Sequence, residues 1–274
     1  RREEVAAAAA AGEQLCAIAS PTSSATAAIP TASVTSAVES DGSTEPGSER
    51  GGLSEDEQDR PSEFDVVRYS PEETFIIFDW DDTLLPTAWL EQEGILQDGR
   101  VSKEQGAQLE VLAGRVIATL TEALRHGYVV IVTNGIEGWV QSSCLQFMPR
   151  LLPTLLSIRI VSARSALEPW GIPCPTEWKR ITFEWEVAAF ESWMREGQSG
   201  NIVSIGDSIH EHHALLCATQ WRPHCCAKSL RLTERPSIAH LIEEQDLLVG
   251  SFAEVIQHEG DLDVDVGGSM QVAA

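Results

Sequence analysis

Positive charge is what this chain has least of. Nineteen Lys and Arg face 42 Asp and Glu, and the formal net charge is -23. Lysine occurs only at Lys103, Lys179 and Lys228, and no stretch gathers basic residues. Such a chain is repelled by nucleic-acid phosphates and by anionic lipid, so neither is expected as its main partner. No apolar run reaches the roughly 18 residues of a membrane-spanning helix, so no membrane role is expected. The cysteines Cys16, Cys144, Cys174, Cys217, Cys225 and Cys226 lack the paired spacing of a zinc ribbon. They are expected as free thiols, as in a reducing intracellular compartment. The sequence opens on Arg1 rather than Met, so it does not reveal a targeting segment.

Aromatic residues are missing from residues 1–62, which are rich in Ala, Ser, Thr, Pro, Gly and Glu. Such a segment has too little apolar surface to offset the entropy of ordering and is expected to be disordered. Residues 257–274 hold four acids and no base, and they are expected to form an acidic disordered tail. That leaves 63–256 as the folded domain. No internal repeat is present.

Within that domain, apolar runs of strand length alternate with helical periodicity. Strands are expected at 75–79, 128–132, 157–162, 202–205 and 226–232. A helix is expected over 105–126, with Leu109, Leu112, Val116, Leu120 and Leu124 on its apolar face and Gly127 at its stop. Further helices are expected at 137–148, at 177–195 with Thr176 as cap, through Ala214–Cys217, and at 237–256. The 177–195 stripe reads Trp178, Ile181, Trp185, Ala188 or Ala189, and Trp193. Residues 87–105 and 163–175 read as loops. Strand–helix alternation predicts an α/β fold, a Rossmann-like three-layer sandwich around a central parallel sheet. Ligands bind such sheets beyond the carboxyl ends of the strands.

Those ends carry the chemistry. The run Phe75–Phe78 leads straight into Asp79, Asp81 and Asp82, with Thr83 next. Unpaired buried carboxylates are costly, so acids at a buried strand end point to a cation. Val129–Val132 ends at Thr133-Asn134-Gly135, and Ile202–Ile205 at Gly206-Asp207-Ser208. His210, Glu211, His212 and His213 lack the His-Glu-x-x-His spacing of a helical zinc site, so no zinc is expected there.

Asp79-x-Asp81-x-Thr83-Leu84 after an apolar strand resembles the first motif of the haloacid dehalogenase superfamily. Thr133 resembles its second motif, and Gly206-Asp207-Ser208-Ile209-His210-Glu211 its fourth, each at a strand end and in order. The resemblance implies that Asp79 is a nucleophile forming an aspartyl-phosphate and that Asp81 is the general acid and base. It implies Mg²⁺ held by Asp79, the backbone carbonyl of Asp81 and Asp207, and a phosphoryl group bound by Thr133 and amides near Asn134. Lys179 is the only lysine in the interval of the third motif, with Arg180 as a weaker alternative. Glu211 stands where the family usually has Asp, and either joins the metal or pairs with Lys179. Asp82 is expected to be a solvated turn residue.

The connections leave no room for a folded cap, so a capless phosphatase acting on a large phosphorylated substrate such as a protein is expected. A non-catalytic protein retaining the fold and a phosphotransferase are the alternatives. Trp80 is expected to point away from the acids, with Trp139, Trp178 and Trp185 in the core. Trp89 and Trp170 are expected at the mouth of the site. Oligomeric state is not legible.

Overall fold

Thr74–Phe78 (β1) is buried at all five positions, which a strand achieves only when both faces of its sheet are covered. Successive side chains point to opposite faces. Ile76 and Phe78 therefore enter one core, and Phe75 and Ile77 another. The computed structural model describes residues 68–195 and 197–266. The expected disordered segment 1–62 lies outside the described residues, as does 267–274.

Five further strands join β1: Tyr128–Thr133 (β2), Arg159–Ser162 (β3), Gly200–Gly206 (β4), Cys225–Arg231 (β5) and Leu262–Asp265 (β6). The order is β3-β2-β1-β4-β5-β6, and every pairing is parallel. The chain is an α/β Rossmann-like sandwich, as its strand–helix alternation predicts. The strand order reverses between β1 and β4, and the crevice at such a switch point is where open α/β sheets bind ligands.

The helices are Thr87–Gln92 (α1), Ile95–Asp98 (α2), Lys103–His126 (α3), Trp139–Phe147 (α4), Leu152–Leu155 (α5), Ala163–Leu167 (α6), Pro175–Glu191 (α7), Ile209–Thr219 (α8) and Ile238–Gln257 (α9). Leu109, Leu112, Val116 and Leu120 of α3 and Leu241, Leu248 and Phe252 of α9 cover the Phe78 face. Phe183, Val187 and Phe190 of α7 and Ala214 and Leu215 of α8 cover the Ile77 face. No helix among the described residues is long and apolar enough to cross a membrane.

Several expectations need correction. Residues 87–105 are not loop, because α1 and α2 are too short to show an apolar period yet bury Ala88, Trp89, Leu90 and Ile95. They share one core with β1, so they form no separate cap. Trp89 is therefore a core residue and not a mouth residue. Residues 163–175 likewise contain α6 and a 3₁₀ turn at Glu168–Trp170. Thr176 does not cap α7: Pro175 opens that helix, Cys174 is the cap position, and the Thr176 hydroxyl meets His210 Nδ1 at 3.0 Å.

The buried face of α7 runs through Trp178 and Ile181, as expected, and also Lys179, Thr182, Phe183, Val187 and Phe190. Trp185 is half-buried beside that core, and Trp193 lies beyond the helix end, 64% exposed, with its ring edge-on to Tyr128. Wide indoles misled the stripe reading, since an amphipathic ring serves at a boundary as well as inside. On α3, Ala123 is buried where Leu124 was expected, and Leu124 is partly exposed. The four acids of 257–274, expected in a disordered tail, all lie at 259–265 within the described structure. Leu262–Asp265 pairs with Lys228–Arg231, and its alternating acids suit an edge strand with one wet face.

Candidate functional site

Parallel strands deliver their last side chains to one edge of the sheet. The Asp79 amide donates to the Ile205 carbonyl at 2.9 Å, which carries the β1–β4 ladder one residue past β1. Asp79 thus arrives beside Gly206 and Asp207, and α7 passes close enough for Lys179 to reach it. Lys179 Nζ donates to Asp79 Oδ1 at 2.6 Å and sits 2.7 Å from Glu211 Oε1. Lys179 is 1% exposed, Asp79 8% and Glu211 4%. Lys179 is the fifth residue of α7, past the first turn where a cation is disfavoured, and the two carboxylates balance its charge.

Ser208 fixes the third member. Its side chain caps α8, and Glu211 Oε2 accepts from the Ser208 amide at 3.1 Å and from its hydroxyl at 2.5 Å. A capping box of this kind normally ends in solvent; here it aims a carboxylate inward. Gly206 gives it room, because a β-carbon there would lie 2.4 Å from Glu211 Cγ. Glu211 thus makes the pairing with Lys179, one of the two roles expected of it. Carboxylate oxygens of Asp79, Asp207 and Glu211 all lie within 4.8 Å of one another.

Asp81 is held differently. Its Oδ1 accepts from Thr87 Oγ1 at 2.7 Å and from Trp139 Nε1 at 2.9 Å, and its Oδ2 from Thr133 Oγ1 at 3.3 Å. All three donors are neutral. The Thr133 hydroxyl in turn accepts from the Gly135 amide at 2.9 Å. Gly135 allows the indole to fold back, since a β-carbon there would lie 2.4 Å from Trp139 Cδ1. The Asp81 side chain stands apart from the three-carboxylate cluster. Asn134 donates to the Pro175 carbonyl at 3.3 Å, and its Oδ1 is buried without a partner.

Asp82 is not a solvated turn residue. It is buried, holds a left-handed backbone with φ 54°, and accepts from the Ala88 amide at 2.7 Å. It therefore satisfies a first-turn amide of α1, whose cap position is Pro86, and Asp tolerates that backbone conformation better than most residues. Trp80 is fully buried and donates to Ser143 Oγ at 3.0 Å, away from the acids as expected. Trp170 is 64% exposed, Trp178 is in the core and Trp185 is half-buried. Trp139 and Thr87 were missed. Asp81 meets them only through the fold, and the one local sign was the glycine-flanked turn before Trp139.

Electrostatics follow from one lysine among several acids. Burial pushes Asp79 up to about 7; Lys179 opposes this, while Glu211 and Asp81 add to it. Burial also raises Asp207 to about 8, with Asp79, Glu211 and Asp82 contributing. Glu211 is buried too, yet Lys179 and Ser208 hold its carboxyl low. The same ion pairs hold Lys179 charged against its burial. The oxygens of the three carboxylates lie close enough together to hold a metal ion. Comparison with protein-family models, with curated proteins and with solved structures finds no match to this chain.

Two outcomes test this electrostatic reading. Lys179→Met leaves two buried carboxylates without their cation and is expected to cost about 3–5 kcal/mol in urea unfolding at neutral pH. A cost below about 1 kcal/mol would contradict a buried pair. The second outcome concerns pH. Unfolded carboxylates titrate near 4. Folded Asp79 and Asp207 keep their protons to about 7 and about 8, so their contribution is complete below pH 4 and lost as pH rises through that range. In chelator, stability is therefore expected to fall from pH 5 to pH 8, less steeply in Asp207→Asn. Equal slopes in both proteins would remove Asp207 as a source.

Proposed function

We propose that this chain is a Mg²⁺-dependent phosphomonoesterase of the haloacid dehalogenase type. The observation that carries the reading is the convergence of Asp79, Lys179, Glu211 and Asp207 at the β1–β4 switch point. The same edge holds Asp81 on Thr133. A nucleophile, a cation to quench charge, a carboxylate cluster for a metal and a separately held acid are what phosphoryl transfer through an aspartate requires.

Asp79, Asp207 and the backbone carbonyl of Asp81 would hold Mg²⁺, with Glu211 in reach of its shell. The ion, when bound, neutralises charge on the phosphoryl oxygens and lowers the repulsion between them and Asp79. A carboxylate oxygen of Asp79 attacks phosphorus, and the bond from phosphorus to the leaving oxygen breaks. Asp81 gives its proton to that oxygen. Water then attacks phosphorus in the aspartyl-phosphate, Asp81 takes the water's proton, and phosphate leaves as Asp79 is regenerated. Lys179 orients Asp79 throughout and stabilises the charge that develops on the transferring group. Thr133 and Asn134 lie beside the path of the phosphoryl oxygens.

Asp81 moves its proton from a defined atom. Two donors already occupy Oδ1, and Oδ2 has only the longer contact to Thr133. Oδ2 is the atom free to hold a proton. The absence of a separate cap among the described residues favours a large substrate, such as a phosphorylated protein, that covers the site itself. A phosphotransferase would share the first step and differ only in the acceptor.

The full chain is expected to hydrolyse an aryl phosphate with Mg²⁺ and to stop in chelator or as Asp79→Asn. Activity that persists in Asp79→Asn removes this mechanism, and inactivity of the parent on a broad phosphoester panel favours a binding protein. Transfer to an added alcohol in preference to water favours the phosphotransferase. Trp139→Phe tests the Asp81 arrangement. Turnover of an alkyl phosphate is expected to fall about tenfold, the scale of one hydrogen bond to a charged group. An aryl phosphate with an acidic leaving group needs little protonation and is expected to change less than about threefold. Equal losses on both substrates would assign Trp139 a packing role only.

A further inference from the structure

A second cluster of metal-binding side chains lies at the opposite edge of the sheet. The Gly200 amide donates to the His224 carbonyl at 2.9 Å, so β4 and β5 begin side by side. The last residue of α7, Glu191, ends against them. Its Oε1 lies 3.0 Å from His224 Nε2 and 3.7 Å from the Cys225 thiol. Ligand atoms of all three lie within 4.8 Å of one another. A tetrahedral zinc ion at about 2.0–2.3 Å from each ligand needs ligand atoms about 3.3–3.8 Å apart. The observed spacings need only small adjustments to meet that.

We propose that Glu191, His224 and Cys225 bind a borderline-soft divalent cation of the zinc class, with water as the fourth ligand. Thiolate, imidazole and carboxylate are a donor set that such an ion takes and Mg²⁺ does not. The surroundings fit. Arg222 Nε holds the other carboxylate oxygen, Oε2, at 2.5 Å, which orients Oε1 toward the histidine and the thiol as an outer-shell partner does. Gly200 opens the space the sulfur occupies, since a β-carbon there would lie 2.7 Å from Cys225 Sγ and 3.6 Å from Met194 Sδ. His224 has a half-exposed side chain, which gives an ion a route from solvent.

The ion replaces the thiol proton, which leaves to solvent, so thiolate and carboxylate together balance its charge. It joins the end of α7 to the start of β5. Lys179 rides on the same helix, so the site would brace the element that carries the cation of the other cluster. The inference does not depend on phosphatase activity.

Cobalt(II) is the probe, because a thiolate on tetrahedral cobalt gives a charge-transfer band that a carboxylate site does not. The full chain, stripped with chelator, is expected to develop that band with one equivalent of Co²⁺ and to lose it when Zn²⁺ competes. Cys225→Ser is expected to abolish the band, and His224→Ala to weaken Zn²⁺ binding at least tenfold. Cys217→Ser, which removes the other thiol near a histidine, is expected to keep it. No band in the full chain, or a band that survives Cys225→Ser, overturns the proposal. Far-UV circular dichroism of each variant separates loss of the site from loss of the fold.

Discussion

One ammonium group lies nearly inaccessible to water between two carboxylates, and the rest of the site is arranged around it. Lys179 meets Asp79 from β1 and Glu211 from α8, so three elements that are distant in sequence converge on one charge. Burying any one of these groups alone would be costly, and together they are tolerable only in this geometry. The glycine at 206, the serine cap at 208 and the register of β1 on β4 all serve that geometry. Asp207 is left over, with more negative charge around it than Lys179 can balance.

Asp79 and Asp81 are two residues apart and chemically unlike. The first is buried against an ammonium and sits in a dense negative field. The second rests on an indole and two hydroxyls. Neighbouring carboxylates in contrasting surroundings can divide nucleophilic and acid–base work. That contrast is a property of the folded chain, because Trp139 and Lys179 arrive from separate connections.

Much of the architecture was legible in the sequence. Continuous apolar runs marked the central strands, and polar clusters at their ends marked the edge where the acids gather. The legible parts were those set by local period and by order along the chain. The illegible parts were set by length or by distant contact. Helices α1 and α2 are too short for a period to appear. β6 looks like an acidic tail until its pairing with β5 is seen. Asp82 reads as a turn acid because its partner, the Ala88 amide, belongs to a helix that local sequence does not announce. Lys179 stands out through the resemblance, as the only lysine in the interval of the third motif, whereas Trp139, which does pack against the core, has no such marker of its bond to Asp81. Trp89 was misplaced for the opposite reason, a core indole read as belonging to a loop.

The contact between Gly206 and Glu211 reaches beyond chemistry into how this sequence can drift. A β-carbon at 206 would lie 2.4 Å from Glu211 Cγ and 3.0 Å from its Cβ, atoms that a shorter acid keeps, so shortening 211 makes no room at 206 and only lengthens the reach to Lys179. A lineage that adds a side chain at 206 must displace the one at 211, and the buried lysine loses its second partner on the way.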